Sequence, residues 1–183
     1  MRIDFERLRK ICTEQKIDNA AVIDVDKISI RQELRDMCKS NVCGRYGTNW
    51  ACPPAIGEVE ELKATLKEYS KALVMQTISY LEDSFDFEGM MQGKKQHAAI
   101  ILKIVKMIKE MYPGYPILTL SAGGCERCKE CTYLENKPCR FPEELMAPVE
   151  GYGIDVTALA NISDIPYNNG PSTVSYISVV LFK

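Results

Sequence analysis

The sequence contains a single histidine and no long apolar stretch, and both absences restrict what the protein can do. With one histidine among 183 residues, a Cys–His catalytic pair has only His97 as a candidate, and nothing in the sequence favours it. The apolar runs are short and interrupted by lysines, so we expect no membrane-spanning segment. The first ten residues are charged throughout and lack the apolar core of a signal peptide, which favours a cytoplasmic protein.

Basic blocks and nucleotide-binding motifs are missing as well. The 23 basic and 25 acidic residues give a net charge of −2, and no basic stripe carries interleaved aromatic residues. Nucleic acid is therefore not an expected partner. The sequence also has no GxGxxG fingerprint, no P-loop lysine and no GxSxG nucleophile elbow. Any catalytic or binding function must therefore depend on residues outside these motifs.

Cysteine, in contrast, is abundant. The chain has eight cysteines, and in a protein without an export signal this number indicates metal binding in a reducing compartment rather than disulfide bonds. The first group consists of Cys125, Cys128 and Cys131, equally spaced by three residues and followed by Cys139. Charged residues stand between these cysteines, which argues against packing in a core.

The equal spacing of three thiols predicts an iron–sulfur cluster of the [4Fe-4S] type. Thiolates at positions i, i+3 and i+6 of a curling loop can converge on neighbouring corners of one cluster, as in the C-x2-C-x2-C run of ferredoxins. A single zinc ion needs only two close pairs, so a third equally spaced thiol would be surplus. Zinc is the alternative, and disulfides or unused thiols are the remaining interpretation.

The second group consists of Cys38, Cys43 and Cys52, in a loop rich in glycine and ending in two prolines. Such a loop turns sharply and lets the backbone approach a ligand closely. Three thiols would leave one iron of a second cluster without a protein ligand, and an open iron can act as a Lewis acid. A single large site shared by both loops, or a structural turn with reduced thiols, are the alternatives.

Other residues near these groups have weaker signals. Arg45 and Tyr46 are predicted to contact a bound cofactor or small molecule, although they could also simply pack the loop. His97 is expected at the surface or in a capping role near the start of a long helix rather than as a metal ligand. Cys12 lies on the apolar face of an N-terminal helix and is expected to be a core residue.

The pattern of elements predicts one α/β domain over residues 1–183. About four strands, in a mixed or mostly parallel sheet covered by helices, alternate with helical segments. Long helical connections favour a parallel arrangement of the first and third strands, which would place both cysteine loops on one edge of the sheet. The final strand has an apolar second half, which favours a central position. The predicted strands are 20–25, 72–80, 116–121 and 173–182. The predicted helices are 4–16, 29–37, 58–69, 94–112, 142–147 and 155–161.

Four segments resemble a prokaryotic family of predicted metal-binding proteins of unknown function. They are Cys43-Gly-Arg-Tyr-Gly-Thr-Asn-Trp-Ala-Cys52-Pro-Pro, Ala122-Gly-Gly-Cys125-Glu-Arg-Cys128-Lys-Glu-Cys131-Thr-Tyr, Lys137-Pro-Cys139-Arg-Phe-Pro and Glu150-Gly-Tyr-Gly-Ile-Asp-Val156. The resemblance implies metal binding but no activity. It does not extend to the ferredoxin fold, because seven residues separate Cys131 from Cys139 and proline precedes Cys139 instead of following it.

Three functions are compatible with this pattern. The first is an iron–sulfur protein, with one or two clusters, that transfers electrons or serves as a redox or catalytic subunit. The second is a zinc-stabilised structural or interaction module. The third is an enzyme that uses a three-cysteine cluster with an open iron on a small molecule. The expected partner is a redox protein or a small molecule, neither of which the sequence identifies.

Overall fold

The structure, a computed structural model that describes residues 2–183, is built on a five-stranded mixed sheet with helices on both faces. The strands are β1 (Asn19–Asp24), β2 (Lys71–Tyr80), β3 (Ile117–Ser121), β4 (Ala147–Pro148) and β5 (Thr173–Phe182). The α-helices are α1 (Phe5–Glu14), α2 (Gln32–Lys39), α3 (Val59–Leu66), α4 (Phe87–Met111) and α5 (Val156–Ile162). Short 3₁₀ helices cover Val25–Lys27, Thr132–Glu135 and Pro142–Glu144.

The strands lie in the order β1-β2-β5-β3-β4, and only the β3–β4 pairing is parallel. A mixed sheet is thus confirmed. The expected parallel relation between β1 and β3 is wrong, because β1, β2, β5 and β3 pair antiparallel in turn. A long helical connection is required for parallel neighbours but does not enforce them. Strand β4 was not predicted, because two residues are too few to show a pattern. The helix predicted over residues 142–147 is wrong: only a 3₁₀ helix forms there, at Pro142–Glu144, and Ala147 begins β4.

Both faces of the sheet are buried, and the alternation of side chains along the strands explains how. In β2, Leu73 and Met75 pack against α1 and α4, whereas Ala72 and Val74 pack into the opposite cluster with α3 and α5. Strand β5 divides in the same way between the two layers. It lies between β2 and β3, so the predicted central position of the last strand is confirmed.

Helix α4 begins at Phe87, two turns before the predicted start at Lys94. The Asp86 carboxylate caps it by accepting a hydrogen bond from the Gly89 amide at 2.8 Å. Residues 81–89 are acidic and include a glycine, which lowers helix propensity, so their sequence is typical of a loop and does not reveal the first turns of α4. Although α4 is the longest helix, no helix among residues 2–183 is long and apolar enough to cross a membrane.

The segment from residue 25 to residue 39 carries the chain across one face of the sheet. The carboxyl end of β1 lies at the edge where β3 begins, because Asp24 pairs with Lys71, Lys71 with Phe182 and Phe182 with Ile117. From there the chain packs into the core on the α3 and α5 face and forms a bridge between Ile30 and Ile154. This crossing brings the second cysteine loop to the edge where β3 ends.

Candidate metal centre

The first cysteine group follows directly from the carboxyl end of β3. Gly123 makes the turn with a φ of +70°, and a Cβ at this position would lie 2.7 Å from Cε of Lys94. The left-handed conformation favours glycine here, whereas the flexible lysine side chain could move away from a Cβ. The four thiols of the group line one small cavity together with residues 49–51 of the second loop: Cys125, Cys128, Cys131 and Cys139.

Hydrogen bonds to sulfur and mutual electrostatics characterise this group. Burial raises the pKa of the Cys125 thiol, a hydrogen bond from the Arg127 amide opposes that rise, and the other three thiolates raise the pKa further. The amide of Phe141 donates to Sγ of Cys139 at 3.4 Å. Amide donors to sulfur stabilise thiolates and tune metal–thiolate centres.

The loop around these cysteines is closed by side-chain bonds to the backbone. The Thr132 hydroxyl donates to the Pro138 carbonyl at 2.9 Å, and Arg140 donates to the Glu130 carbonyl at 2.8 Å. Arg127 forms an ion pair with Glu144 at 2.7 Å. These bonds join the beginning and the end of the segment, so Cys139 lies near the other three thiols despite its greater separation in sequence.

In the second group, Cys38 lies in the last turn of α2, whereas Cys43 and Cys52 lie in the loop between α2 and α3. Cys52 is only 5% exposed, whereas Cys43 is exposed. Burial raises the pKa of Cys52, a hydrogen bond with the Asn49 side chain lowers it, and the Cys43 thiolate raises it again. Burial also raises the pKa of Cys38, with Arg35 opposing and Cys43 adding to the rise.

The two cysteine loops are in direct contact. A Cβ placed on Gly124, the residue directly before Cys125, would lie 3.4 Å from Sγ of Cys52. The Trp50 indole donates to the Lys137 carbonyl at 3.0 Å and its ring meets Tyr133 edge-on. The prediction that both loops lie on one edge of the sheet is confirmed, although the crossing segment, and not parallel strands, brings them together.

The residues between the cysteines of the second loop mainly organise the two loops. Arg45 donates to the Cys125 carbonyl at 3.4 Å and forms an ion pair with Glu126 at 3.2 Å. The amide of Tyr46 donates to Oδ1 of Asn41 at 2.9 Å. A role of Arg45 and Tyr46 in cofactor binding stays a prediction.

The thiols are gathered but do not form a closed coordination shell. All eight cysteines are free, and among residues 2–183 no group of three or more His, Cys, Asp or Glu side chains could hold a metal ion as it stands. The donor set, four soft sulfurs with amide donors beside them, fits an iron–sulfur cluster or zinc.

Two further residues with side chains that could bind a metal, Cys12 and His97, lie away from these loops. Cys12 is 0% exposed in the core between α1 and α4, as predicted, and burial raises its pKa to about 11. His97 was expected at the surface, but this prediction is wrong, because the side chain is only 1% exposed. It is buried because α4 starts two turns earlier, which places His97 well inside the helix and against the sheet. The ring is hydrogen-bonded by Thr77 at 2.8 Å and Ser178 at 2.7 Å.

The burial of His97 predicts a pH-dependent stability. Burial lowers its pKa from 6.5 to about 4, so the unfolded chain binds a proton in this window that the folded chain does not. The contribution of His97 to the free energy of unfolding is therefore fully present above pH 6.5 and is lost as the pH falls towards 4. At 1.4 kcal/mol per pKa unit this loss amounts to about 3 kcal/mol. Urea unfolding at several pH values should show a steeper loss in the wild type than in His97→Gln. Equal slopes in the two proteins would contradict the assignment.

Arg35 is a buried residue beside the second cysteine group whose structural role the sequence did not reveal. Only 4% of it is exposed, and its guanidinium donates to the Gly57 carbonyl at 2.6 Å and to the Gly151 carbonyl at 2.7 Å. It therefore ties the exit of the second cysteine loop to the turn after β4. A buried arginine on a short polar helix has the same sequence pattern as an exposed one, so only the packing shows its role.

These features define a cysteine-rich α/β protein with seven thiols gathered at one edge of its sheet. The chain belongs to the family of predicted metal-binding proteins designated DUF2284, whose model matches residues 21–182. Among curated proteins no sequence match was found.

Two solved structures are similar to the chain at low identity. One is epoxyqueuosine reductase from Streptococcus thermophilus, with 12% identity, a TM-score of 0.46, and coverage of 99% of this chain and 46% of that chain. The other is a selenomethionine-labelled epoxyqueuosine reductase, with 8% identity, a TM-score of 0.46, and coverage of 96% and 45%. The chain spans less than half the length of either protein, and neither similarity assigns it a function.

Proposed function

We propose that this chain is a cytoplasmic iron–sulfur protein that binds a [4Fe-4S] cluster through Cys125, Cys128, Cys131 and Cys139 and transfers electrons. When bound, such a cluster accepts and donates single electrons at a potential set by burial, charge and hydrogen bonds to sulfur. The protein contributes the four thiolates, the amide donors of Arg127 and Phe141, and the Trp50 segment that covers the cavity.

One observation carries this proposal: the fold gathers seven of the eight thiols at one edge and brings two groups of them into contact. A single zinc ion would use four thiols and leave three unexplained. The second group, Cys38, Cys43 and Cys52, supplies three thiolates for a further cluster whose fourth iron position is open. Such a position would allow catalysis on a small molecule.

A zinc-stabilised structural module is the second candidate, and the size of the cavity favours it. The cavity that the four thiols line together with neighbouring residues measures about 30 Å³, whereas about 10–15 Å³ is enough for one water molecule, so the cavity is small. A single ion needs less room than a cluster of four irons and four sulfides. In this case the thiols would serve the fold, and the partner would be another protein instead of an electron donor.

Metal and sulfide analysis distinguishes these candidates. Protein purified without oxygen is expected to be brown, to absorb near-ultraviolet and visible light, and to contain iron and acid-labile sulfide in equal amounts. The thiolates favour iron–sulfur chemistry because three of them share one spacing. Colourless protein with about one zinc per chain and no sulfide would refute the iron–sulfur proposal and select the zinc module.

A further inference from the structure

A second cavity, also lined by Cys125, lies between α4 and the loop after β3. It measures about 280 Å³, just below the range of about 300–1,000 Å³ that is usual for small-molecule sites. One wall is apolar and is formed by Ala98, Ala99, Leu102 and Met146. Alanines on the facing turns of α4 leave this space open where larger side chains would fill it.

The rim of this cavity is charged and slightly cationic. Three cations and two anions contribute to it: Lys94, Lys95, Arg127, Glu126 and Glu144. Lys94 pairs with Glu126 at 2.6 Å and Arg127 with Glu144 at 2.7 Å, whereas Lys95 has no ion-pair partner within residues 2–183. One positive charge therefore remains available to an occupant.

The floor contains a buried hydroxyl held by a chain of hydrogen bonds. Ser121, the last residue of β3, lines the cavity and lies 3.3 Å from Oγ of Ser178, which in turn contacts Nε2 of His97 at 2.7 Å. Thr77 holds Nδ1 at the other side of the ring. When the imidazole carries its proton on Nε2, His97 donates to Ser178 and Ser178 donates to Ser121. The Ser121 hydroxyl is then left free to donate into the cavity.

We propose that this cavity binds a small organic anion with an apolar body, with its acceptor group toward Ser121 and Lys95 and its apolar part against Ala98 and Leu102. The binding itself is independent of the metal. A role for the anion as substrate or ligand of the adjacent centre rests on the proposed function.

The test uses 8-anilinonaphthalene-1-sulfonate, an aromatic sulfonate whose fluorescence rises on binding, titrated into the full-length protein. Ala98→Leu, which fills the cavity, should weaken binding by at least about fivefold. Ser121→Ala removes one hydrogen bond and should weaken it by about 3- to 10-fold. The uncharged analogue N-phenyl-1-naphthylamine should bind at least about threefold more weakly than the sulfonate.

Two variants control for effects outside the cavity. Ala64→Leu makes the same change on the exposed face of α3, and Phe85→Ser removes an exposed aromatic ring that could attract the dye. Both should bind as the wild type does. Ala99→Leu fills the same cavity from an exposed helix position and replaces Ala98→Leu if that variant does not fold.

The outcomes separate the two proposals. Unchanged affinity in the cavity-filling variants, or loss of binding in Phe85→Ser, would overturn the site, and equal binding of the uncharged analogue would overturn its anion preference. Iron content is measured in the same samples and should be unaffected by Ala98→Leu. Protein that lacks iron but shows the predicted dye affinities would refute the proposed function and leave the anion site standing.

Discussion

Cys128→Ala is expected to lose the metal of the first cysteine group completely. Cys128 is the middle thiol of the run and lines the cavity with the other three, so no neighbouring thiol can replace its sulfur without vacating its own position. A four-thiolate zinc site requires all four ligands. A [4Fe-4S] cluster built on four thiolates would be left with one iron without a protein ligand, and we expect it to be lost during purification. Iron, sulfide and zinc content after anaerobic purification measures the result.

Cys12→Ala is the matched control. Cys12 is equally a free thiol, but it lies in the core between α1 and α4 and contacts neither loop. Its replacement should leave metal content unchanged and lower the free energy of unfolding by about 0.5–3 kcal/mol. Full metal content in Cys128→Ala, or metal loss in Cys12→Ala, would show that the ligand set is assigned wrongly.

Cys52→Ala extends this experiment to the number of centres. Two separate centres predict that Cys52→Ala loses only part of the metal and that Cys128→Ala loses the other part. A single shared site predicts that each variant loses all of it. The contact between Cys52 and Gly124 makes both arrangements sterically accessible, and the metal content of the two variants distinguishes them.

Arg35→Met is expected to destabilise the protein by about 2–6 kcal/mol, because two carbonyls lose their donors at about 1–3 kcal/mol each. Methionine keeps the apolar stem and removes the guanidinium that binds Gly57 and Gly151. Urea unfolding of the two proteins at the same pH measures the difference.

Arg31→Met provides the comparison for Arg35→Met. Arg31 is half-exposed and pairs with Asp155 at 3.1 Å on the surface, where such pairs contribute less than about 1 kcal/mol. A loss in Arg35→Met no larger than in Arg31→Met would mean that the Gly57 and Gly151 carbonyls are hydrated and that Arg35 is not a structural tie.

Local sequence patterns were sufficient for part of this molecule. The spacing of Cys125, Cys128 and Cys131 concerns neighbours along one loop, so chain geometry alone brings them together. The central position of β5 followed from apolar residues on both faces of its second half, a property of that strand alone. The metal-binding family likewise followed from contiguous motifs, and the family model confirms it.

The arrangement of these parts was decided by the tertiary structure. Whether a connection after β1 returns antiparallel or crosses to a parallel neighbour depends on packing between residues distant in sequence, and no local pattern encodes it. The contact between Cys52 and Gly124, the burial of Arg35 and the enclosure of His97 all result from that choice. The sequence by itself identified which thiols are candidates for metal binding. The carboxyl ends of β1 and β3 lie at opposite ends of the sheet. The two groups of thiols meet only because residues 25–39 cross the sheet from the first of these ends to the second.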